Sequence, residues 1–235
     1  MPGQDLAPAL RRFLTTVAVI VAAWSLSSLG YFQLSPVLDA QVGYNDAPLS
    51  FALYYGGWSL AVYLVFRRSF EQAGDLTFST VRVAVLALMA IAFATFALFV
   101  LPHLPPMEWT RSNDPVEFFS ATSWYFLPKT VEILFQQILI AALVLSLNEL
   151  GLRLWKISVL VALLFGGFHL TLAFSYPNPF YVARYSIAAT LFGALVPPIL
   201  LQLRHGFLIT FAIHWVYYAI DIVLIHFAFA GAPGG

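Results

Sequence analysis

Seven stretches of this chain are long and apolar enough to be read as membrane spans. They cover approximately residues 13–33, 49–66, 81–102, 125–147, 154–175, 184–203 and 206–229. A hydrocarbon core about 30 Å thick asks for about 20 apolar residues, each advancing a helix by about 1.5 Å. No water there can satisfy a peptide group, so each segment must pair its own backbone, and a helix does this locally. Barrel strands of about 10 alternating residues do not fit such long unbroken runs. The sequence therefore predicts an all-α fold: a polytopic membrane helix bundle of about seven transmembrane helices, forming one domain over residues 1–235.

Composition closes off the alternatives. Only 9% of residues are charged, against about 25% in a soluble domain, too few to cover a water-facing surface. The formal net charge is zero, which gives no electrostatic footprint for nucleic acid. With no cysteine, disulfides, thiol catalysis and cysteine metal sites all drop out. Arg11 and Arg12 precede the first apolar run as in a secretory signal. The run itself outlasts the roughly 7–15 apolar residues of a cleaved leader, so it reads as a retained first span.

Charge sorts the connections. Arg11, Arg12, Arg67, Arg68, Arg82, Arg153, Lys156 and Arg204 fall in the N-terminal tail and the even-numbered connections, and Arg111, Lys129 and Arg184 in the others. The positive-inside rule then places the N-terminus in the cytoplasm and the C-terminus outside. A bacterial inner membrane is the expected location. The long connections 34–48 and 103–124 become external, with Asp39, Asp46, Glu108, Asp114 and Glu117. Trp109, Trp124, Tyr125 and Phe126 stand where an interfacial aromatic belt is expected. Pro197 and Pro198, near the inner end of the sixth span, predict a kink or break. Gly56, Gly57, Gly166 and Gly167 would permit close helix approach.

Most spans are chemically silent. The exceptions are Glu132 in the fourth, His169 in the fifth, and His214, Asp221 and His226 in the seventh. A charged side chain at mid-span costs about 2.5–3.5 kcal/mol on insertion scales, so such groups face the bundle interior and mark candidate sites. His169 lies about 20 Å along its helix from Lys156, and Asp221 about 24 Å beyond His205, from the helical rise. His214 is about 14 Å beyond His205 by the same measure. Glu132 sits near the outer start of its helix, so Glu132, His169 and Asp221 would share the outer third. His214, Tyr218 and Asp221 follow an i, i+4, i+7 spacing, and the pairs Glu132–Gln136 and Phe165–His169 follow i, i+4. Three helices thus each present one polar stripe.

In order and spacing these residues resemble the CPBP family of intramembrane proteases, the CAAX-protease type II and bacteriocin-processing group. The family's first signature, Glu-Glu-x-x-x-Arg, is approached by Val131-Glu132-Ile133-Leu134-Phe135-Gln136. Its second, Phe-x-x-x-His, is met by Phe165 and His169; its third, His-x-x-x-Asn, is met at His214, with Tyr218 in the last place. The likeness covers about residues 125–225. It implies that Glu132 and His169 activate a water and that His214, with Tyr218, stabilises an oxyanion during cleavage of a membrane-anchored peptide. Val131, Gln136 and Tyr218 depart from the pattern. Two registers remain open: Phe135 aligns Val131 with the first glutamate, and a one-residue slip puts Glu132 there.

The chemistry is coherent on general grounds, since peptide hydrolysis needs a positioned base and a donor to the developing oxyanion. A degenerate relative that binds a partner membrane protein, as a subunit or assembly factor, fits the altered positions equally. Glu132 would then be a structural tie to a histidine or to Lys129. Zinc on Glu132, His169 and His214, or haem or a chlorophyll-type pigment on the histidines, is the less favoured reading, because the family pattern needs no cofactor. His226, near the outer interface, is expected to hydrogen-bond there, and Gln137 to bond between helices.

Overall fold

The computed structural model describes residues 6–41, 43–73, 80–105, 121–174 and 178–229. Its helices are α1, Leu6–Val37, α2, Pro48–Ala73, and α3, Thr80–Thr95. The third runs on through a π-type turn at Phe96–Val100 and a tight turn at Leu101–His103. A single turn at Ser123–Tyr125 leads into α4, Phe126–Glu149. The last three are α5, Leu154–His169, α6, Pro179–Gln202, and α7, Gly206–Phe229. Seven helices are long and apolar enough to cross a membrane, and no strand occurs among the described residues. The protein is an all-α seven-helix bundle.

Apolar residues lie on every face, so hydrophobicity alone does not decide which side turns inward. Large aliphatic side chains such as Leu53, Leu88, Leu163, Leu191 and Leu224 point out of the bundle, as expected of helices solvated by lipid. Aromatic and polar residues such as Phe51, Tyr55, Trp215 and Thr210 turn in together with other aliphatic side chains. The axis is α4, whose Ile133, Phe135, Gln137, Leu139, Val144 and Leu147 are all but inaccessible. Gln137 donates to Thr210 of α7 at 2.6 Å, the interhelical bond expected of it.

The tightest helix pair is α5 on α6. A Cβ on Gly193 would sit 2.9 Å from Ala162 Cα and from Val161 O, so the two backbones touch as small residues allow in membranes. Gly166 lies equally hard against Thr190. The other expected glycines do not act this way: Gly57 and Gly167 face open space, and Gly56 has only Val131 Cγ1 at 3.9 Å.

The third helix is attached by aromatic rings. Phe93 stacks on Trp215 of α7 at 3.9 Å, Phe96 meets the same indole edge-on at 5.4 Å, and Trp215 Nε1 donates to Thr130 Oγ1 at 2.8 Å. At one end of the bundle Arg82 Nε donates to His205 Nδ1 at 3.3 Å, and Arg12 approaches Glu149 at 3.7 Å. At the other end Asn45 Oδ1 accepts from the backbone N and Oγ1 of Thr122, pinning the α1–α2 connection to the start of α4.

Several sequence expectations change. Helix α6 begins at Pro179, not near residue 184, because Asn178 caps it by accepting from Phe180 N at 3.0 Å. Arg184 is therefore a helix residue and not a loop charge. The helix passes through Pro197 and Pro198 unbroken to Gln202. Of the proposed belt, Trp124 faces outward, whereas Tyr125 and Phe126 are core residues at 0% and 2% exposure. Trp109, Arg111, Glu108, Asp114 and Glu117 lie outside the described residues.

Candidate functional site

The first turns of α4 project Lys129, Glu132 and Gln136 from one face, the i, i+3 and i, i+4 neighbours of a helix. Lys129 Nζ donates to Glu132 Oε2 at 2.8 Å, and Gln136 Nε2 to Glu132 Oε1 at 2.8 Å. A third donor comes from outside the helices: Tyr44 Oη bonds Glu132 Oε2 at 2.9 Å. Tyr44 reaches in because Gly43 takes a left-handed turn at φ 59, a conformation that suits glycine. Both carboxylate oxygens are engaged.

Lys129 is only 5% exposed. Besides Glu132, it lies 4.1 Å from the ring centre of Tyr218, tying α4 to α7. Val131, the residue before Glu132, faces α2: its Cγ1 would lie 3.9 Å from a Cβ on Gly56, and its carbonyl accepts from Ser59 at 3.5 Å. Of the two sequence registers, only position 132 brings a carboxylate to the interior cavity.

That cavity, about 430 Å³, is lined by Tyr44, Lys129, Glu132 and Gln136 on one side and by His169 and Tyr218 on the other. A second cavity of about 280 Å³ lies between α5, α6 and α7. His169, Tyr185 and Tyr218 line both, so they form the wall between them. Glu132 and His169, on different helices, line the same space. His214 does not join them there; it lines the second cavity.

His169 Nδ1 lies 2.8 Å from Phe165 O. A carbonyl only accepts, so Nδ1 carries the proton and the neutral ring keeps its Nε2 lone pair. His214, 6% exposed, is packed between Phe192 at 4.7 Å and Tyr218 at 5.7 Å. Its Nδ1 is buried without a hydrogen-bond partner. Asp221 is not available to orient it: Oδ1 pairs with Arg184 at 3.2 Å and Oδ2 accepts from Tyr185 at 2.9 Å, both on α6. His226 bonds the carbonyl of Pro105 at 2.8 Å, the kind of role expected for it.

Tyr44 and Tyr185 escaped the sequence reading. Tyr185 follows an arginine placed in a loop, and Tyr44 sits 88 residues before its partner in a connection with no periodicity to read. Among the described residues no three metal-ligating side chains gather closely enough to share an ion. No family model, curated protein or solved structure matches this chain.

Proposed function

We propose that this protein is a CPBP-like membrane protein that binds a membrane-anchored peptide, or a segment of a partner membrane protein, in the Glu132 cavity without hydrolysing it. The observation that carries this reading is the state of Glu132. Three donors, one of them a buried ammonium, engage its two oxygens. A general base needs a lone pair aimed at water, and here three of the carboxylate's roughly four acceptor sites are directed to Tyr44, Lys129 and Gln136. Val131 fills the place where the family's motif has its first glutamate and turns toward α2. The two halves of the expected base are thus missing or engaged. The shape of the site remains suited to holding a peptide, with hydroxyl, amide and aromatic groups around one cavity.

Its expected setting is a bacterial inner membrane with a cytoplasmic N-terminus, which puts the Glu132 cavity on the outer half. Hydrolysis is the second reading, and one observation favours it. His169 shares the cavity with Glu132, and its Nε2 lone pair would accept a proton from water.

A photo-crosslinking amino acid at Leu172, which lines the cavity, separates the two. The same probe at Leu53, on the outer surface of α2, is the control. Binding without cleavage predicts one adduct of equal mass in the otherwise native protein, in Glu132→Gln and in His169→Ala. An adduct that is shortened in the native protein but intact in both variants transfers the argument to hydrolysis. Equal capture at Leu53 and Leu172 rejects both.

A further inference from the structure

The second cavity contains groups that peptide binding at Glu132 leaves unused. Its wall is mainly aromatic, formed by Phe165, Tyr185, Phe192 and Tyr218. Its mouth is formed by Leu191, Leu195 and Ile213, which are 61%, 53% and 37% exposed on the outer surface of the bundle. In a bilayer that mouth opens into lipid, not water. Yet α7 presents two polar groups here, the imidazole of His214 and the hydroxyl of Tyr217, and both His214 Nδ1 and Tyr217 Oη are buried without a partner. A polar group left unpaired in hydrocarbon is costly, and no bulk water can relieve it.

Depth restricts what would relieve it. His214 is eight residues into α7, which begins at Gly206, so it lies about 12 Å along a span of about 30 Å. Tyr217 is roughly 5 Å further. Both stand near mid-membrane, where a phospholipid offers only methylene groups and its ester carbonyls are out of reach. The slot has no unpaired charge, because the adjacent Arg184 and Asp221 form an ion pair at 3.2 Å, so a charged ligand would enter uncompensated. At about 280 Å³ it is slightly smaller than the usual ligand pocket of about 300–1,000 Å³, which suits one ring.

We infer that the α5–α6–α7 slot binds a neutral, membrane-soluble ring compound that carries hydrogen-bonding oxygens and a hydrocarbon tail, a quinone or its quinol. The ring lies among Phe165, Phe192 and Tyr218, Tyr217 donates to a ring oxygen, and His214 meets another. The tail leaves past Leu191 and Leu195. This assignment is independent of whether Glu132 binds or cuts a peptide.

The test uses the full chain in lipid nanodiscs and a photoreactive azido-benzoquinone with a decyl tail. Labelling is competed either by decyl-benzoquinone or by decylbenzene, which has the ring and tail but no oxygens. The expected result is saturable labelling of α6 and α7 at one site per protein, competed by the quinone and not by the hydrocarbon. Tyr217→Phe removes one hydroxyl and should weaken competition about tenfold, the effect of one hydrogen bond to a buried group. Ala189→Leu, which fills the slot without touching its polar groups, should abolish it. Labelling that grows linearly with probe, that decylbenzene competes equally, or that survives Ala189→Leu in a protein with unchanged melting temperature overturns the assignment. A Tyr217→Phe variant that binds as well as the native protein overturns the hydrogen-bonding role of α7.

Discussion

At the scale of single residues, the bundle is organised around a buried ion pair. Lys129 and Glu132 are 7% and 15% exposed at their side chains and sit 2.8 Å apart. Removing one partner of such a pair leaves an uncompensated charge and costs about 3–5 kcal/mol, whereas removing both with shape preserved is often neutral. Lys129→Met should therefore destabilise the protein by about 3 kcal/mol. The double variant Lys129→Met, Glu132→Gln should recover most of that loss. Thermal unfolding of the native protein, Lys129→Met, Glu132→Gln and the double variant in one detergent gives the coupling directly, and additive losses would mean the pair is energetically silent. Tyr44→Phe is the milder probe: it deletes one of three donors and should cost about 1 kcal/mol. The tie from Lys129 to Glu132 was legible in the sequence, because a spacing of three on a helix makes neighbours. The third donor was not. A connection without periodicity carries no record of which helix its side chains reach, and Tyr44 depends on the left-handed turn at Gly43 and the Asn45–Thr122 clasp.

At the scale of elements, length and apolarity located all seven helices, since the bilayer fixes how long a span must be. Their ends were harder. Reading Arg184 as a loop charge cut a turn from α6, although a span tolerates arginine when a carboxylate faces it, as Asp221 does here. Burial also escaped periodicity, because a helix in lipid is apolar all round and inner and outer faces look alike. Small residues discriminate better, but only where a partner backbone is close. Gly193→Ala places a methyl group against the backbone of α5 and should cost about 1–3 kcal/mol through overpacking. Gly167→Ala adds the same atoms over open space and should leave the melting temperature unchanged or slightly raised, since alanine favours helix. Equal effects at the two positions would contradict the close α5–α6 contact.

At the scale of the whole molecule, the two ends of the bundle differ in kind. One end holds the Glu132 cavity under the Gly43–Asn45 turn, and the other holds Arg12, Glu149, Arg82 and His205. Arg184 pairs with Asp221 and Lys129 with Glu132 inside the bundle, whereas Arg11, Arg12, Arg67, Arg68, Arg82, Arg153, Lys156 and Arg204 stand near helix ends or in connections. That asymmetry is what the positive-inside rule reads, and it predicts that the cavity end faces away from the cytoplasm. The absence of cysteine makes the orientation directly measurable. A single cysteine at Gln41, beside the clasp, and one at Arg204, between α6 and α7, lie at opposite ends. In intact cells a membrane-impermeant maleimide should modify Gln41→Cys and spare Arg204→Cys, with both modified once the membrane is opened. The reverse pattern would turn the bundle over and make the Glu132 cavity accessible from the cytoplasm. A peptide ligand would then have to be sought among proteins anchored to that face.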